Sequence, residues 1–502
     1  MRDKGVVVAT LLVFLAVSAV SGTAAAQTGV GVVDGYEPDD VFEFERPLSD
    51  EQKQAVVSRT MARVEQIRDR DFEERPRVET VERSEVPGTG EEVNRTAQGN
   101  WNDVVWEALL IVGDDEYANQ AIADTVGGAT AGFYEPGNGT GSGNESGNSV
   151  SLVGELHEPT LAHELVHVMQ DQRYNLSAER FSPPVQDEQM ASQGIIEGEA
   201  DYIRIIYQQR CGTDWQCYER VGGVGGGSGG GGEFEGNFGV LMTLIQPYSD
   251  GPAYVHSLRQ EGGWDAVDRG YSDVPTTSSE VIHHEDRERK RIGFEDTATD
   301  GWSLYENAGK DGYDVAGEAS IFVSFLYQSS PEPFGYGLGV INPRSFRGTD
   351  SEYSRYDYTS EVSEGWRGDR IYPYHRRTGE GNETGFVWVS TWATEDDAKG
   401  FADAYIEVLD GHGAERVDPA TRTVGGDFRG AYRVAREGTN VTIVHAPTVG
   451  GLNELRPSVS GEKNPGVIDA RPAAQATPGF GVLVALLALA ALLVASVFRR
   501  LS

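Results

Sequence analysis

Apolar residues recur every three or four positions in several parts of the chain, and this spacing predicts amphipathic helices. The first such segment covers residues 51–69. Ser49 and Gln52 stand at its start with the spacing of a capping box, in which the two residues satisfy free backbone N–H groups of the first turn. The apolar positions of this helix are Val56, Met61, Val64 and Ile67.

Strand and helix patterns then alternate. Residues 75–86 alternate apolar and polar positions, as a strand does, and residues 102–124 return to a helical pattern. Two short β-rich runs at 130–136 and 148–155 predict a hairpin, because a Gly- and Asn-rich loop joins them.

Two further helices follow the hairpin, at 160–172 and 195–210. A Gly-rich insert at 222–232 comes next, and apolar helical sequence resumes beyond it. The insert therefore interrupts a region that we divide off as residues 101–300.

The last part of the chain combines helices with paired strands, which predicts a small α+β module over residues 301–445. The fold class of the whole chain is accordingly predicted as α+β. The helices of this module are expected at 316–328 and 394–409, and the strands at 370–376, 384–394, 431–438 and 440–446.

The charge balance excludes one class of partner. The 502 residues include 79 Asp and Glu against 42 Lys and Arg, a net charge of −37. With no basic stripe to neutralise phosphates, we expect no nucleic-acid partner. A dispersed acidic excess with little Lys resembles the proteins of salt-loving archaea, where it maintains solubility. The alternative is an acidic secreted protein of another source.

The first 26 residues have the pattern of a secretory signal peptide. Arg2 and Lys4 precede an apolar run at 5–20, and small residues at 24–26 give a cleavage site after Ala26. We therefore expect an exported protein. Residues 27–100 are a helix and strand region that resembles a propeptide in position, and whether it is removed is left open.

The C-terminal residues 478–502 have the pattern of a membrane anchor. The apolar segment 480–498 is long enough to span a bilayer and precedes Arg499 and Arg500. The residues before it resemble the PGF-CTERM sorting signal of haloarchaeal surface proteins. That resemblance implies removal of the tail by an archaeosortase and anchoring to the membrane through a lipid; the alternative is a retained helix. The signal residues are Pro478, Gly479 and Phe480.

Two kinds of modification fit an exported chain. Cys211 and Cys217 flank five residues and predict a small loop disulfide. Glycosylation sequons also occur in several regions. They begin at Asn94, Asn138, Asn144, Asn175, Asn382 and Asn440.

The segment TLAHELVHVMQDQ at 160–172 contains the motif H-E-x-x-H. His163 and His167 share one face of a helix, so that both imidazoles can bind one Zn²⁺ ion. A zinc ion with an open coordination position activates water, and Glu164 is placed to act as the general base. We therefore predict one catalytic Zn²⁺.

A catalytic zinc site needs a third protein ligand. The continuation H-E-x-x-H-x-x-G-x-x-H is excluded, because Gly and His are missing at the required positions. Glu197 is the predicted ligand, with Asp201 one turn later as a hydrogen-bond acceptor for a ligating His. Glu199 is the alternative ligand, about 200° around the helix from Glu197.

These residues resemble the site of the gluzincin metallopeptidases. The resemblance implies a zincin domain built from an edge-strand hairpin, the H-E-x-x-H helix and a helix with the ligand Glu. It also implies that residues 130–136 bind a peptide or protein substrate by backbone pairing. A wider resemblance, to uncharacterised secreted H-E-x-x-H proteins of bacteria and haloarchaea, covers most of residues 100–410.

A further side chain is expected to stabilise the oxyanion, and His283 and Tyr202 are the candidates. Asp369 and Arg370 are a candidate buried ion pair, for which we favour a structural role. Residues 446–477 are predicted as a linker.

Three functions remain open at this point. The chain is predicted to be a zinc metallopeptidase at the cell surface. The alternatives are an inactive zincin-like surface glycoprotein that acts in binding or in the envelope, and a structural surface glycoprotein in which the motif is accidental.

Overall fold

The computed structural model describes residues 30–44, 47–86, 92–136, 148–218, 236–349, 351–379 and 381–457. The predicted signal peptide, Gly-rich insert and sorting signal lie outside these residues, as do Asn138 and Asn144. In the described ranges no helix is both long enough and apolar enough to span a membrane. The predicted anchor segment 480–498 is not among them.

The described residues form two sheets. The strands are Arg77–Val81 (β1), Gly132–Glu135 (β2), Ser149–Val153 (β3), Ser303–Leu304 (β4), Trp366–Arg377 (β5), Asn382–Trp392 (β6), Glu415–Arg416 (β7), Thr421–Val424 (β8), Gly430–Glu437 (β9) and Asn440–Ala446 (β10).

Helices pack on both sheets, and the predicted α+β class is confirmed. The helices are Asp50–Arg68 (α1), Ala97–Ala108 (α2), Ala118–Ala129 (α3), Glu158–Tyr174 (α4), Gln186–Arg210 (α5), Phe238–Leu244 (α6), Gln246–Gly270 (α7), Ser278–His283 (α8), Gly317–Ser329 (α9), Glu395–Gly411 (α10) and Val449–Leu455 (α11).

The smaller sheet has the order β1-β3-β2. β1 is parallel to β3, and β2 is antiparallel to it, with Phe133 opposite Ser151. The predicted hairpin is thus confirmed. Within the described residues β2 is an edge strand of this sheet, and it packs on α4.

The larger sheet is antiparallel throughout and has the order β4-β5-β6-β10-β9-β8-β7. Its predicted hairpins, β5 with β6 and β9 with β10, are confirmed. α10 covers one face, where Trp388 contacts Phe401 and Tyr405. α11 packs against β9 and β10.

The largest hydrophobic core joins the two halves of the chain. Trp101 and Trp106 of α2 belong to the same buried cluster as Ile371 and Trp388 of the larger sheet. The boundary predicted at residue 300 therefore does not coincide with a gap in the packing.

The helical pattern predicted at 102–124 is confirmed only in part, because two helices cover its ends and residues 109–117 between them are not helical. α2 ends at Ala108, and Leu110 adopts a left-handed conformation with φ of 55°. The chain turns there because residues 109–112 insert into the core, with Leu109 and Leu110 fully buried. α3 begins only at Ala118.

Two other sequence predictions are wrong, one for residues 446–477 and one for Asp369 with Arg370. The first part of the predicted linker at 446–477 is not a linker, because α11 lies within it and buries Leu452 and Leu455 in the core. Residues 458–477 lie outside the described residues. Asp369 does not pair with Arg370. Its carboxylate accepts hydrogen bonds from the indole N–H groups of Trp366 and Trp388, each at 2.9 Å.

α1 supports the start of α4. Its predicted capping box is present, since Ser49 accepts from the N–H of Gln52 and the Gln52 side chain accepts from the N–H of Ser49. Arg59 and Arg63 reach Glu158 in the first turn of α4 at 2.8 and 3.0 Å, with all three side chains fully buried. The N-terminal region is therefore bound to the H-E-x-x-H helix through charges in the core.

α5 and α7 approach closely at two glycines. A methyl group at Gly198 would lie 2.5 Å from the carbonyl carbon of Gly251, and one at Gly251 would lie 2.5 Å from the carbonyl oxygen of Gly194. Only glycine permits this distance between the two backbones. The contact brings Glu197 of α5 next to the turn of α7 that carries Tyr248.

We expect Gly251→Ala to lower the free energy of unfolding by about 1–3 kcal/mol, because the methyl group forces α5 and α7 apart. Gly400→Ala is the matched control. Gly400 also lies in a helix but has no atom within 4 Å of the added methyl group, so its replacement should stabilise by about 0.5–1 kcal/mol. Denaturant unfolding measures both, and equal stability of Gly251→Ala and wild type would contradict the close contact.

Candidate metal centre

Three ligand atoms converge at the contact between α4 and α5. His163 and His167 lie one turn apart on α4, and their Nε2 atoms are 3.1 Å apart. Oε2 of Glu197 on α5 lies 3.2 Å from each of these nitrogens. The three side chains are buried, and together they can hold a metal ion.

The spacing fits a tetrahedral ion. Ligand atoms that bind zinc at about 2.0–2.1 Å in tetrahedral geometry lie about 3.3–3.4 Å from one another. The observed distances of 3.1 and 3.2 Å are close to this value. Two imidazoles and one carboxylate also form a ligand set that zinc favours when a further position stays open.

Hydrogen bonds behind the histidines determine their tautomers. Nδ1 of His163 lies 3.0 Å from the carboxylate of Asp201, and Nδ1 of His167 lies 2.8 Å from Oε1 of Gln170. Both partners are acceptors, so each Nδ1 carries the proton and each neutral imidazole presents an Nε2 lone pair.

The orientation of Gln170 is fixed in turn. Its Nε2 donates to the carbonyl oxygen of Ile196 at 2.9 Å and to Glu199 at 3.2 Å. Oε1 must therefore be the atom that faces His167. This side chain has no counterpart among the sequence predictions, because nothing in the local pattern distinguishes it from another polar residue of α4.

Glu199, the alternative ligand, faces away from the histidines. It accepts a hydrogen bond from Tyr271 at 2.5 Å and is ion-paired with Arg68 of α1. Glu199 also accepts a hydrogen bond from Gln170, and Gln170 in turn contacts His167. Glu199 therefore supports His167 indirectly, and Arg68 of α1 supports Glu199. The geometry thus assigns Glu197 to the ligand triangle and Glu199 to its surroundings.

The local charge balance favours a cation. Asp201 pairs with Arg204 at 2.7 Å, and Glu199 pairs with Arg68. Among the described residues, Glu164 and Glu197 have no Lys or Arg in ion-pair distance. Two buried carboxylates without a basic partner are costly, and a divalent ion matches their charge.

The pKa values of His163 and Glu197 also indicate that this site favours positive charge. Burial disfavours the charged imidazole, but hydrogen bonds to Asp201 and Glu197 prevail and raise the pKa of His163 to about 10. Burial opposes ionisation of Glu197 as well, and the two histidines prevail and lower its pKa to about 2. A bound cation replaces the protons that the histidines would otherwise take up.

Glu164 lies beside the triangle and has free acceptor atoms. Its side chain is fully buried, and neither carboxylate oxygen has a hydrogen-bond partner in the described part of the chain. A methyl group at Gly132 of β2 would lie 2.9 Å from Oε1 of Glu164, so the edge strand passes directly over this carboxylate. Burial raises the pKa of Glu164 to about 7, and the nearby His163 and His167 counteract part of the rise.

Tyr248 is a residue that sequence reasoning missed. Its ring stacks on His163, with 6.1 Å between centroids and 17° between planes. Its hydroxyl is buried near the carboxylate of Glu197 and forms no hydrogen bond of good geometry among the described residues. Burial and the carboxylates of Glu197 and Glu164 raise the pKa of Tyr248 well above its usual value, so the hydroxyl remains a donor.

The two residues expected to stabilise an oxyanion have other partners. Nε2 of His283 lies 2.8 Å from Glu318 of α9, and in the described residues no hydrogen bond or ion pair joins it to the ligand triangle. The hydroxyl of Tyr202 lies 3.1 Å from His256 and accepts from Arg259 at 3.1 Å. Of the tyrosines Tyr202 and Tyr248, Tyr248 is the one whose ring stacks on His163.

The predicted disulfide between Cys211 and Cys217 is confirmed. The sequon residues within the described ranges are all exposed, so each is accessible for modification. They are Asn94, Asn175, Asn382 and Asn440.

Comparisons with known proteins give one family match. The model of a family described as a domain of unknown function, DUF8575, matches residues 303–456. No curated protein and no solved structure matches the chain. The match covers the larger sheet with α9, α10 and α11, and it does not include the ligand triangle.

We expect the full chain to bind one Zn²⁺ ion and Asp201→Asn to weaken binding about 10- to 100-fold, because the acceptor for His163 Nδ1 loses its negative charge. Glu197→Gln removes a ligand and should weaken binding further. Competition with a chromophoric chelator measures the affinities. The control is Glu285→Gln, whose side chain is 62% exposed; an unchanged affinity for Glu197→Gln would exclude the assigned triangle.

Proposed function

We propose that this protein is a zinc-dependent metallopeptidase with a gluzincin-like site. One observation carries the proposal: His163, His167 and Glu197 form a buried ligand triangle, and the free carboxylate of Glu164 lies beside it. This combination supplies both a metal site and a base, which are the two parts that metal-assisted peptide hydrolysis requires.

The chemistry divides between the metal and the protein. When bound, zinc supplies a Lewis acid that lowers the pKa of water towards neutrality. Glu164 takes a proton from the water while the oxygen atom of that water attacks the carbonyl carbon of the peptide bond. When the C–N bond breaks, Glu164 gives this proton to the leaving amine nitrogen. Its free carboxylate oxygens suit both transfers.

Tyr248 is the proposed donor to the carbonyl oxygen as that oxygen gains negative charge. Its hydroxyl stays protonated and is buried near the carboxylates of Glu197 and Glu164. A donor that is already oriented and desolvated gains most from charge that develops in the transition state.

β2 is the proposed binding edge for the substrate backbone. Within the described residues one side of β2 pairs with β3, and Gly132 lies against Glu164. An extended peptide that pairs with the free side of β2 would pass close to Glu164 at the position of Gly132.

The proposed location is the outside of the cell membrane. The signal-peptide pattern of residues 1–26 and the PGF tripeptide at Pro478, Gly479 and Phe480 support export and anchoring through an archaeosortase. The dispersed acidic charge supports a high-salt environment.

A second function is a surface protein that holds zinc without turnover. The low exposure of the site favours it, since His163 and Glu164 are fully buried and His167 is only 6% exposed. Activity of the purified chain distinguishes the two functions.

We expect Glu164→Gln to retain zinc but to lose about 10²- to 10⁴-fold in kcat against an unfolded protein substrate, because the base is removed and the three ligands remain. The control is again Glu285→Gln. Zinc without hydrolysis in the wild type would support the second function, and equal rates for wild type and Glu164→Gln would exclude Glu164 as the base.

We expect Tyr248→Phe to lower kcat about 10²- to 10³-fold with little change in KM, because the ring still stacks on His163 and only the donor is lost. Tyr254→Phe, on the same helix, is the matched control. A change confined to KM would show that Tyr248 binds substrate and does not stabilise the transition state.

A further inference from the structure

A large polar cavity lies between α2 and the larger sheet. Its volume is about 1040 Å³, at the upper end of the roughly 300–1,000 Å³ that small-molecule sites occupy. Its walls include residues of α2, of the hairpin that joins β5 to β6, and of β10. None of the three candidate metal ligands lines it, and neither does Glu164 or Tyr248. The cavity is therefore separate from the candidate metal centre.

Two buried polar groups line this cavity without a good partner. They belong to Glu107 of α2 and His445 of β10, which are only 6% and 3% exposed. Oε1 of Glu107 lies 3.4 Å from Nδ1 of His445, yet neither atom forms a hydrogen bond of good geometry in the described part of the chain. Because buried polar atoms are normally satisfied, these two favour a ligand that carries hydrogen-bonding groups.

The protonation of the two side chains defines what they offer to a ligand. Nε2 of His445 lies 3.4 Å from the carbonyl oxygen of Arg429, so this nitrogen carries the proton and Nδ1 is an acceptor. Burial lowers the pKa of His445 to about 4. Burial and the carboxylate of Asp114 raise the pKa of Glu107 well above its usual value. The pair thus combines a neutral acceptor with a carboxyl group that can donate, and a hydroxyl group can bind both.

The charges around the cavity largely cancel. Three ion pairs occupy most of them: Arg429 with Asp114 at 2.8 Å, Arg95 with Asp103 at 3.2 Å, and Arg376 with Glu383 at 2.9 Å. Glu116 and Arg377 at the cavity wall add one charge of each sign. A charged ligand would meet like charges as well as opposite ones, so a neutral polar ligand fits best. The cavity is not a second metal centre, because three ligand atoms converge only at the ligand triangle among the described residues.

An aromatic surface and a glycosylation sequon complete the cavity wall. The rings of Tyr305 and His375 have centroids 4.6 Å apart, and both side chains are half-buried. A tyrosine ring offers apolar surface to the C–H groups of a sugar, while its hydroxyl offers a hydrogen bond. Asn382 and Thr384, the first and last residues of one sequon, also line the cavity, and Asn382 is exposed. A sugar attached to Asn382 would therefore begin at the rim of the cavity.

We propose that this cavity binds a neutral oligosaccharide, whose hydroxyl groups pair with Glu107 and His445 and whose rings pack on Tyr305. This ligand chemistry has two sources, a glycan carried by Asn382 itself and a separate saccharide. The inference does not rest on the proposed function, because no group of the candidate metal centre lines the cavity.

The first test uses the full chain with Asn382→Gln, so that no glycan at this position fills the cavity. Saturation-transfer NMR titrations compare neutral trisaccharides of glucose, mannose, galactose or N-acetylglucosamine with the anion trigalacturonate and the cation spermidine. We expect at least one neutral trisaccharide to bind about 10-fold more tightly than either charged probe, because like charges at the wall repel both. Failure of all the neutral trisaccharides to bind would overturn the proposal, as would tighter binding of a charged probe.

The second test removes single groups from the cavity in the same Asn382→Gln protein. We expect Tyr305→Ala and Glu107→Ala each to weaken binding of the neutral trisaccharide about 3- to 10-fold, since each removes one contact. Glu107→Gln should retain most of the affinity, because the amide is neutral and has the shape of a protonated carboxyl group. Tyr36→Ala, at a half-buried tyrosine outside the cavity, is the matched control.

Near-UV circular dichroism shows whether each of these variants keeps its fold. Tyr305 is only half-buried, so Tyr305→Ala serves as the test if Glu107→Ala does not fold. Unchanged affinity in the folded cavity variants would overturn the proposal.

The third test distinguishes the two sources of the saccharide. Wild type and Asn382→Gln are produced in one host that glycosylates sequons, and mass spectrometry verifies the glycan on Asn382. Binding of the neutral trisaccharide by Asn382→Gln alone would support the chain's own glycan as the occupant. Equal binding by both proteins would support a separate saccharide, and binding by neither would overturn the proposal.

Discussion

Two imidazole nitrogens and a carboxylate oxygen lie 3.1–3.2 Å apart in a buried part of this protein. Three atoms that all present lone pairs repel one another unless a proton or a cation lies between them. The surrounding structure maintains the arrangement, because Asp201 and Gln170 hold the far sides of the two imidazoles. The support extends outward from Gln170 through Glu199 to Arg68 on α1.

The rest of the fold brings the second half of the chain to this triangle. The glycine contact between α5 and α7 places Tyr248 against His163. The next residue, Ser249, exchanges hydrogen bonds with the backbone of Tyr356 at 2.9 and 3.1 Å. The region that matches DUF8575 therefore supports α7 beside the candidate metal centre, although it supplies none of the three candidate ligands.

Two errors of sequence interpretation have different physical origins. The pattern at 102–124 is helical throughout, yet the chain turns at Leu110 because burial of residues 109–112 outweighs continuation of the helix. Asp369 and Arg370 have opposite charges, but successive residues of a strand point to opposite faces. Asp369 consequently meets two buried indoles, and Arg370 lies on the ring of Tyr313.

The sequence by itself determined what depends on local periodicity. His163, Glu164 and His167 follow from the pitch of one helix, as do Glu197 with Asp201, and the capping box and hairpins follow from equally short spacings. Only the tertiary structure decided the contributions of Gln170, Arg68 and Tyr248. These depend on how closely separate helices approach, and that distance is set by side-chain volumes at contacts such as Gly198 with Gly251, which are far apart in the chain.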